Sequence, residues 1–294
     1  MQKQTKAYLF AITAILFWST IATAFKTALA GMSFANLLLV STFTSVVALL
    51  AILIIQNTFF STITANIKQY ASSAILGFLN PFLYYMILLK AYSLLPAQIA
   101  QPLNYTWPVV LVILSAPFLG QKVSIKAILA LIVCFVGVII ISFQGKFNFN
   151  IQSPTGIILA IGSSFVWAIF WLLNMKDKRH ETPKLFLNFL FGAIYILIYH
   201  LLFEKIKIEN STSLCAAIYV GVFEMGITFV LWLTALHYAT SPEKISSLVY
   251  LSPFISIFFI SFFLHENIHL TTIIGLIFIV LGIILSKTNF KKAF

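Results

Sequence analysis

The chain carries one pattern twice, and each version holds five apolar segments. Ala91-Tyr92-Ser93-Leu94-Leu95-Pro96 returns as Ala235-Leu236-His237-Tyr238-Ala239-Thr240-Ser241-Pro242, and the segment after each copy carries a second proline, Pro108 and then Pro253. From those prolines onward the offset is 145 residues (253 minus 108): Leu119-Gly120-Gln121 answers Leu264-His265-Glu266, and Gly137 answers Gly282. Upstream, Trp18 answers Trp167, Gly77 answers Gly221, and Asn80 answers Glu224. If every segment crosses a bilayer, an odd number of crossings makes the second copy enter from the opposite side. Inverted repeats of this kind are the construction plan of many secondary transporters, with substrate bound near the midplane between the halves.

Composition supports ten crossings. Hydrophobic residues make up 61% and charged residues only 9% of the 294, with a mean hydropathy of +1.03, whereas a soluble domain carries roughly a quarter charged residues. A stretch of about 20 apolar residues spans the hydrocarbon core. Ten stretches approach that length, at 7–29, 34–55, 70–92, 96–119, 124–143, 155–175, 184–203, 213–238, 242–264 and 268–286. Thirty phenylalanines and eleven tyrosines suit a lipid-facing surface with interfacial aromatics. The sequence thus predicts an all-α membrane protein of ten transmembrane helices arranged as two inverted five-helix repeats. Residues 1–143 form the first repeat, 144–154 a linker and 155–294 the second.

The net charge of +11 would fit a nucleic-acid partner, but its distribution speaks for topology. With the N-terminus in the cytoplasm, Lys26, Lys90, Lys146, Lys205 and Lys207 fall outside, and the remaining 13 of the 18 Lys and Arg fall inside. That bias predicts cytoplasmic termini, with anionic lipid headgroups as the basic chain's partners and no nucleic acid. Lys3, Lys6, an apolar run and Ala22-Thr23-Ala24 imitate a secretory signal. The mate of that segment around Trp167 cannot be one, so residues 7–29 read as a retained helix. Cys134 and Cys215 fall in different helices and show neither metal nor redox spacing.

Several stretches resemble the drug/metabolite transporter superfamily of the EamA type: Phe17-Trp18-Ser19-Thr20, Leu251-Ser252-Pro253, the turn Leu264-His265-Glu266, and the glycines from Gly275 to Gly282. The order of these stretches and the repeat carry the resemblance over essentially the whole chain. It implies a ten-helix inner-membrane carrier with a central cavity that moves small organic metabolites, commonly outward, as a monomer or homodimer and without a cofactor. Asn104-Tyr105-Thr106-Trp107-Pro108 and Gly120-Gln121-Lys122 further resemble the branch of aromatic amino acid exporters. The expected cargo is therefore a small molecule such as an amino acid, with a drug, sugar or nucleoside as the alternative.

Polar groups inside a bilayer are costly and mark functional sites or interhelical contacts. Glu224, near the middle of the eighth segment, reads either as a site for a substrate amine or proton, or as a carboxyl locked in an interhelical hydrogen bond. Its mate Asn80 is also polar and central. The fourth segment carries Gln98, Gln101, Asn104 and Tyr105 with Pro102 and Pro108, and the spacing 98, 101, 105 and 108 follows one helical face; Ser246, Ser247, Tyr250, Ser252 and Pro253 repeat the idea in the ninth. For the three serines, close helix packing is the plainer reading. Trp18 and Trp167 sit mid-span, where each lines a cavity or packs in the core. Tyr84, Tyr85, Thr228 and Trp232 complete an aromatic and hydroxyl set suited to an amphipathic metabolite. Lys26 and Lys90 at helix ends read first as snorkelling lysines, and Lys176 through Glu181 as a solvated loop.

His265-Glu266-Asn267-Ile268-His269 matches the H-E-x-x-H pattern of zinc proteases. That chemistry needs both histidines on one face of a helix, yet these five residues straddle a turn, and their mate Gly120 to Ser124 offers no ligand. No nucleophile–base pair and no P-loop is visible. An intramembrane enzyme is therefore the remote alternative, and a secondary carrier the expected class.

Overall fold

The computed structural model describes residues 3–119, 125–143, 145, 153–239, 245 and 248–287. Among these the regular structure is helical, apart from one isolated antiparallel bridge between Met32 and Ile208. In chain order the helices are α1 (Lys3–Leu29), α2 (Phe34–Ile55), α3 (Phe59–Ile63), α4 (Ile67–Gly77), α5 (Tyr84–Leu94), α6 (Ala97–Asn104) and α7 (Trp107–Leu119). They continue with α8 (Ile125–Ser142), α9 (Pro154–Asn174), α10 (Glu181–Phe203), α11 (Ser211–Tyr219), α12 (Ile227–Tyr238), α13 (Ser252–Leu264) and α14 (Leu270–Lys287). Six continuous helical stretches are long and apolar enough to cross a membrane: α1, α2, α4 through α5, α9, α10, and α11 through α12. Shorter apolar helices at 128–142, 249–264 and 270–285, with the broken pair α6–α7, bring the spans to ten. The start of the ninth expected span, with Ser246 and Ser247, lies outside the described residues.

Short polar residues set where the spans begin. Ser33 caps α2 by accepting from the Asn36 N–H, Asn66 and Gln69 form a capping box on α4, Ser153 caps α9 ahead of Pro154, and Asn210 caps α11. Each side chain satisfies a donor that the first helical turn leaves open. Contacts between connections then sort into two ends, as alternating crossings require. At one end Met32 meets Ile208, the Asn36 amide donates to the carbonyls of Lys205 and Lys207, Leu95 packs on Gly156, and Gln98 donates to Asn267 O. At the other end Arg179 donates to Ser73, Lys176 to Phe118 O, and the Lys6 ammonium lies over the Tyr238 ring.

The repeats interlock instead of sitting side by side. α1 packs on α11, α12 and α13 of the second repeat, while α9 packs on α5, α6 and α7 of the first. α2 lies on α10, and α8 on α14. In the last pair a Cβ on Gly137 would stand 2.6 Å from Gly275 O, and one on Gly282 2.7 Å from Ala130 O. Small residues thus let the backbones touch, as in membrane helix pairs generally. Large apolar side chains such as Leu201, Phe203, Phe258 and Phe262 are exposed on the outside, which in a bilayer is the lipid face.

Both central polar mates interrupt their spans in the same way. α4 and α5 are joined by a π-helical segment, Phe78–Leu83, in which Asn80 leaves helical geometry (φ −146°, ψ 117°). α11 passes into a second π-helical segment, Val220–Glu224, and α12 starts after Gly226. The glycine before each polar residue meets a neighbouring backbone: a Cβ on Gly77 would be 2.3 Å from Asn188 O of α10, and one on Gly221 2.4 Å from Ser41 O of α2. Freed carbonyls in such breaks need a partner from nearby helices. Ser45 supplies one by donating to Met225 O at 2.8 Å.

Two expectations change. The fourth span is not one helix: Tyr105 and Thr106 form a turn between α6 and α7. A proline ring collides with the carbonyl four residues earlier, so Pro108 ends α6 at Asn104, and the single face from Gln98 to Pro108 does not exist. The run from Lys176 to Glu181 is also not merely solvated. Arg179 and Asp177 pair with side chains only 12% and 10% exposed, and Lys184 is buried against the carbonyls of Asn174 and Asp177 and the Glu181 carboxylate. Burial alone would raise the Asp177 carboxyl, but hydrogen bonds and charge from Arg179, with help from Lys184, hold it below the usual carboxylate range.

Candidate substrate site

Glu224 ends its π-helical segment with its side chain half-buried and accepts a hydrogen bond from the Tyr85 hydroxyl at 2.9 Å. Tyr85 is fully buried on α5, so this pair joins the third span of one repeat to the eighth span of the other. Tyr84 meets its neighbour Tyr85 edge-on (4.7 Å between centroids), and its ring is tilted against that of Trp167 on α9, 4.5 Å away. Trp167 is 5.9 Å from Phe229 of α12, and Phe229 is 6.3 Å from Trp18 of α1, which in turn meets Trp232 at 5.3 Å. One aromatic chain therefore runs from Glu224 through both repeat-related tryptophans. The π-bulge that sets the register of Glu224 is a feature frequent at functional sites.

A polar string lies beside it. The Tyr84 hydroxyl donates to Asn104 Oδ1 at 3.3 Å, and the Asn104 amide donates to Ser163 Oγ at 2.8 Å. Thr106 reaches Ser164 at 3.2 Å. The break after α6 turns Tyr105 toward Ser252, whose hydroxyl is also 3.3 Å from that of Ser19. Gln101, Trp232 and Tyr250 are nearly buried, with the last on the 3-10 turn before α13. Of the expected site residues, Glu224, Tyr84, Asn104, Trp18, Trp167 and Trp232 are linked through these contacts. Asn80 stands apart, fully buried in the segment whose Pro81 packs against Gly192, with no hydrogen-bond partner for its amide among the described residues.

Two features escaped the reading of the sequence. Phe229, where both tryptophans meet, is the counterpart of Tyr85 at the same 144-residue spacing that separates Asn80 from Glu224, so the repeat itself pointed to it. Glu266 is more than a turn residue. Its two carboxylate oxygens accept the N–H groups of Ala97 (2.9 Å) and Gln98 (3.2 Å) and so cap α6 from the other repeat. Gln98 answers by donating to Asn267 O and accepting from His269 N and Thr272 Oγ1, instead of lining the centre. Lys26 donates to Tyr92 O and Leu95 O at the end of α5. Lys26, Gln98, Glu266 and His269 surround a cleft of about 440 Å³ at this face. The H-E-x-x-H residues are not on one helix: His265 adopts a left-handed conformation at the end of α13, and Leu270 opens α14.

The sequence profile of the EamA-like transporter family matches residues 5–143 and 154–288. The chain belongs to the EamA-like transporter family. Each half carries its own match, and the family and its relatives are transporters, not enzymes. The chain is 28% identical over 218 residues to the uncharacterized transporter YvbV of Bacillus subtilis, covering 72% of this chain and 70% of that one. It is 23% identical over 255 residues to YoaV of the same organism, covering 85% and 86%. To Protein PecM of Dickeya dadantii it is 24% identical over 216 residues, covering 72% and 71%. A crystal structure of 21% identity covers 97% of each chain with a TM-score of 0.68, which shows a shared fold. As an EamA-type protein, the chain is a multi-pass membrane transporter.

Proposed function

We propose that the protein is a secondary exporter of small organic metabolites, amino acids and amines among them, working by alternating access around Glu224. It acts in a bacterial-type inner membrane with both termini cytoplasmic, as a monomer or homodimer. One observation carries the reading: Glu224, among the described residues the one acid placed deep in a span, is held by Tyr85 of the other repeat and flanked by the aromatic chain through Trp18 and Trp167. A group shared between halves that rock against each other changes its surroundings in every cycle. Gln101, Asn104, Tyr84, Tyr105, Trp232 and Tyr250 form the walls, and Asn80 shapes the third span from behind. Outward direction rests on the resemblance to EamA-type exporters, and secondary energetics on a chain without a nucleotide-binding loop.

The test uses purified protein in liposomes loaded with a panel of amino acids and amines, with efflux followed under an imposed proton gradient. Gradient-dependent efflux that Glu224→Gln removes is the expected result. Efflux indifferent to that substitution would take Glu224 out of the site.

A further inference from the structure

At the end of the molecule that carries Arg179, a cleft of about 600 Å³ lies between the repeats. One wall is the start of α4, with Asn66, Lys68 and Gln69, and the other is the chain that follows α9, with Lys176, Lys178 and Arg179. Its charge is one-sided. The carboxylate of Asp177 is occupied: Oδ1 accepts from the Arg179 backbone N–H and Nε, and Oδ2 from Ser72 and the Arg179 guanidinium. Glu181, the next acid along the chain, is paired with Lys184. Lys68, Lys176 and Lys178 have no carboxylate partner among the described residues, so their charges are left uncompensated.

The hydrogen-bonding groups are sorted in the same way. In the capping box of α4, Asn66 Oδ1 accepts from the Gln69 N–H and Gln69 Oε1 from the Asn66 N–H, each at 3.0 Å. Both amide oxygens are thus engaged with backbone, while the two amide nitrogens have no partner among the described residues. Lys176 uses one of its three donors on Phe118 O. The lining therefore presents cations and amide donors, with its carboxylate and amide acceptors occupied. That combination suits an anion with several acceptor oxygens, such as a phosphate group.

Apolar side chains beside the cleft point to the source of the phosphate. Ile67, between Asn66 and Lys68, is 81% exposed; Phe60, on α3 just ahead, is 78% exposed, and Met175, before Lys176, 42%. Exposed apolar side chains interleaved with basic ones belong where headgroups meet acyl chains, and lysines at that level attract anionic lipid. We propose that this cleft binds the phosphate-bearing headgroup of an anionic phospholipid. Lys68 reaches it from the first repeat and Lys176 and Lys178 from the second, so the bound headgroup bridges the halves.

Native mass spectrometry of the full-length protein, purified in neutral detergent and stripped of lipid, can compare phosphatidylglycerol with phosphatidylcholine of the same acyl chains. Both carry a phosphate, but only the first keeps a net negative charge, and it should bind at least about tenfold tighter. Lys68→Gln combined with Lys178→Gln, two exposed side chains outside the substrate site, should weaken phosphatidylglycerol binding at least about tenfold. Lys3→Gln combined with Lys126→Gln removes the same charge outside the cleft and should leave binding unchanged. Equal binding of the two lipids, or an equal loss in the two double variants, would overturn the site. Displacement of phosphatidylglycerol by an equimolar amount of inorganic phosphate would assign the cleft to a soluble phosphate and overturn the lipid. A photoactivatable phosphatidylglycerol crosslinked to the wild-type protein needs no variant: label at 66–72 and 173–179 is expected, and label confined to other segments would overturn the proposal.

Discussion

A carboxylate in the middle of a span has to be solvated, paired or protonated, and half-buried Glu224 is bound by the Tyr85 hydroxyl. Glu224→Gln keeps the side-chain shape and a partner for Tyr85 but cannot titrate. The expected outcome is a folded protein that loses substrate flux, or its pH dependence, in reconstituted vesicles. Glu224→Ala strands the Tyr85 hydroxyl as well, at a cost of about 1–3 kcal/mol, so its thermal midpoint should fall while that of the glutamine variant holds. Flux and pH profile like wild type in Glu224→Gln would make the carboxyl purely structural. His265 and His269 offer the contrasting case. With a helix end and a turn between them, they do not present the paired face that H-E-x-x-H chemistry needs. Replacing both with alanine should leave transport intact, and metal analysis of the purified protein should find far less than one zinc per chain; stoichiometric zinc lost in the double variant would reverse that.

Elements of this molecule are joined at breaks and small residues, where one side chain decides whether two helices stay together. Glu266 holds the start of α6 from the far repeat, and charge-assisted bonds to open N–H groups are among the stronger ones. Glu266→Ala should lower stability by about 1–3 kcal/mol and loosen the face lined by Lys26 and Gln98, seen as faster amide hydrogen exchange at 97–100. Exchange there equal to wild type would show that the cap does not hold α6. Gly192 is under stricter constraint, because a Cβ would sit 2.5 Å from the Pro81 ring. Gly192→Val should push α10 from the bulge of the third span and cost about 1–3 kcal/mol by overpacking. A thermal midpoint equal to wild type would mean that the two helices do not pack there.

At the scale of the whole molecule, the two sets of end contacts put residues 179 and 210 on opposite faces, and the lysine distribution predicts that the face of residue 179 is the cytoplasmic one. Reporter fusions after Arg179 should read as cytoplasmic and those after Asn210 as external. Agreement of the two sites on one side would break the ten-span order, while a swapped pair would keep the order and reverse the orientation.

The periodicity of apolar residues and the duplicated landmarks made the architecture readable from the sequence. Both are one-dimensional consequences of the bilayer, which demands about 20 apolar residues per crossing and punishes any polar group without a reason. Glu224, Asn80 and the two tryptophans stood out on that ground alone. Other decisions depended on distances between residues far apart in the chain. That Tyr85 is the partner of Glu224, that Trp18 and Trp167 meet at Phe229, and that Glu266 caps a helix of the other repeat all follow from the interlocking of the halves. The sequence also presented Gln98 through Pro108 as one helical face, because spacing is blind to a break, and only the folded chain shows the turn at Tyr105 and Thr106 that sends Gln98 to the membrane face and Tyr105 toward Ser252. The chain alone determined what must be buried in lipid and which polar residues needed an explanation. Tertiary structure decided their partners, because a hydrogen bond depends on which helices touch, and that is set by packing across the repeats.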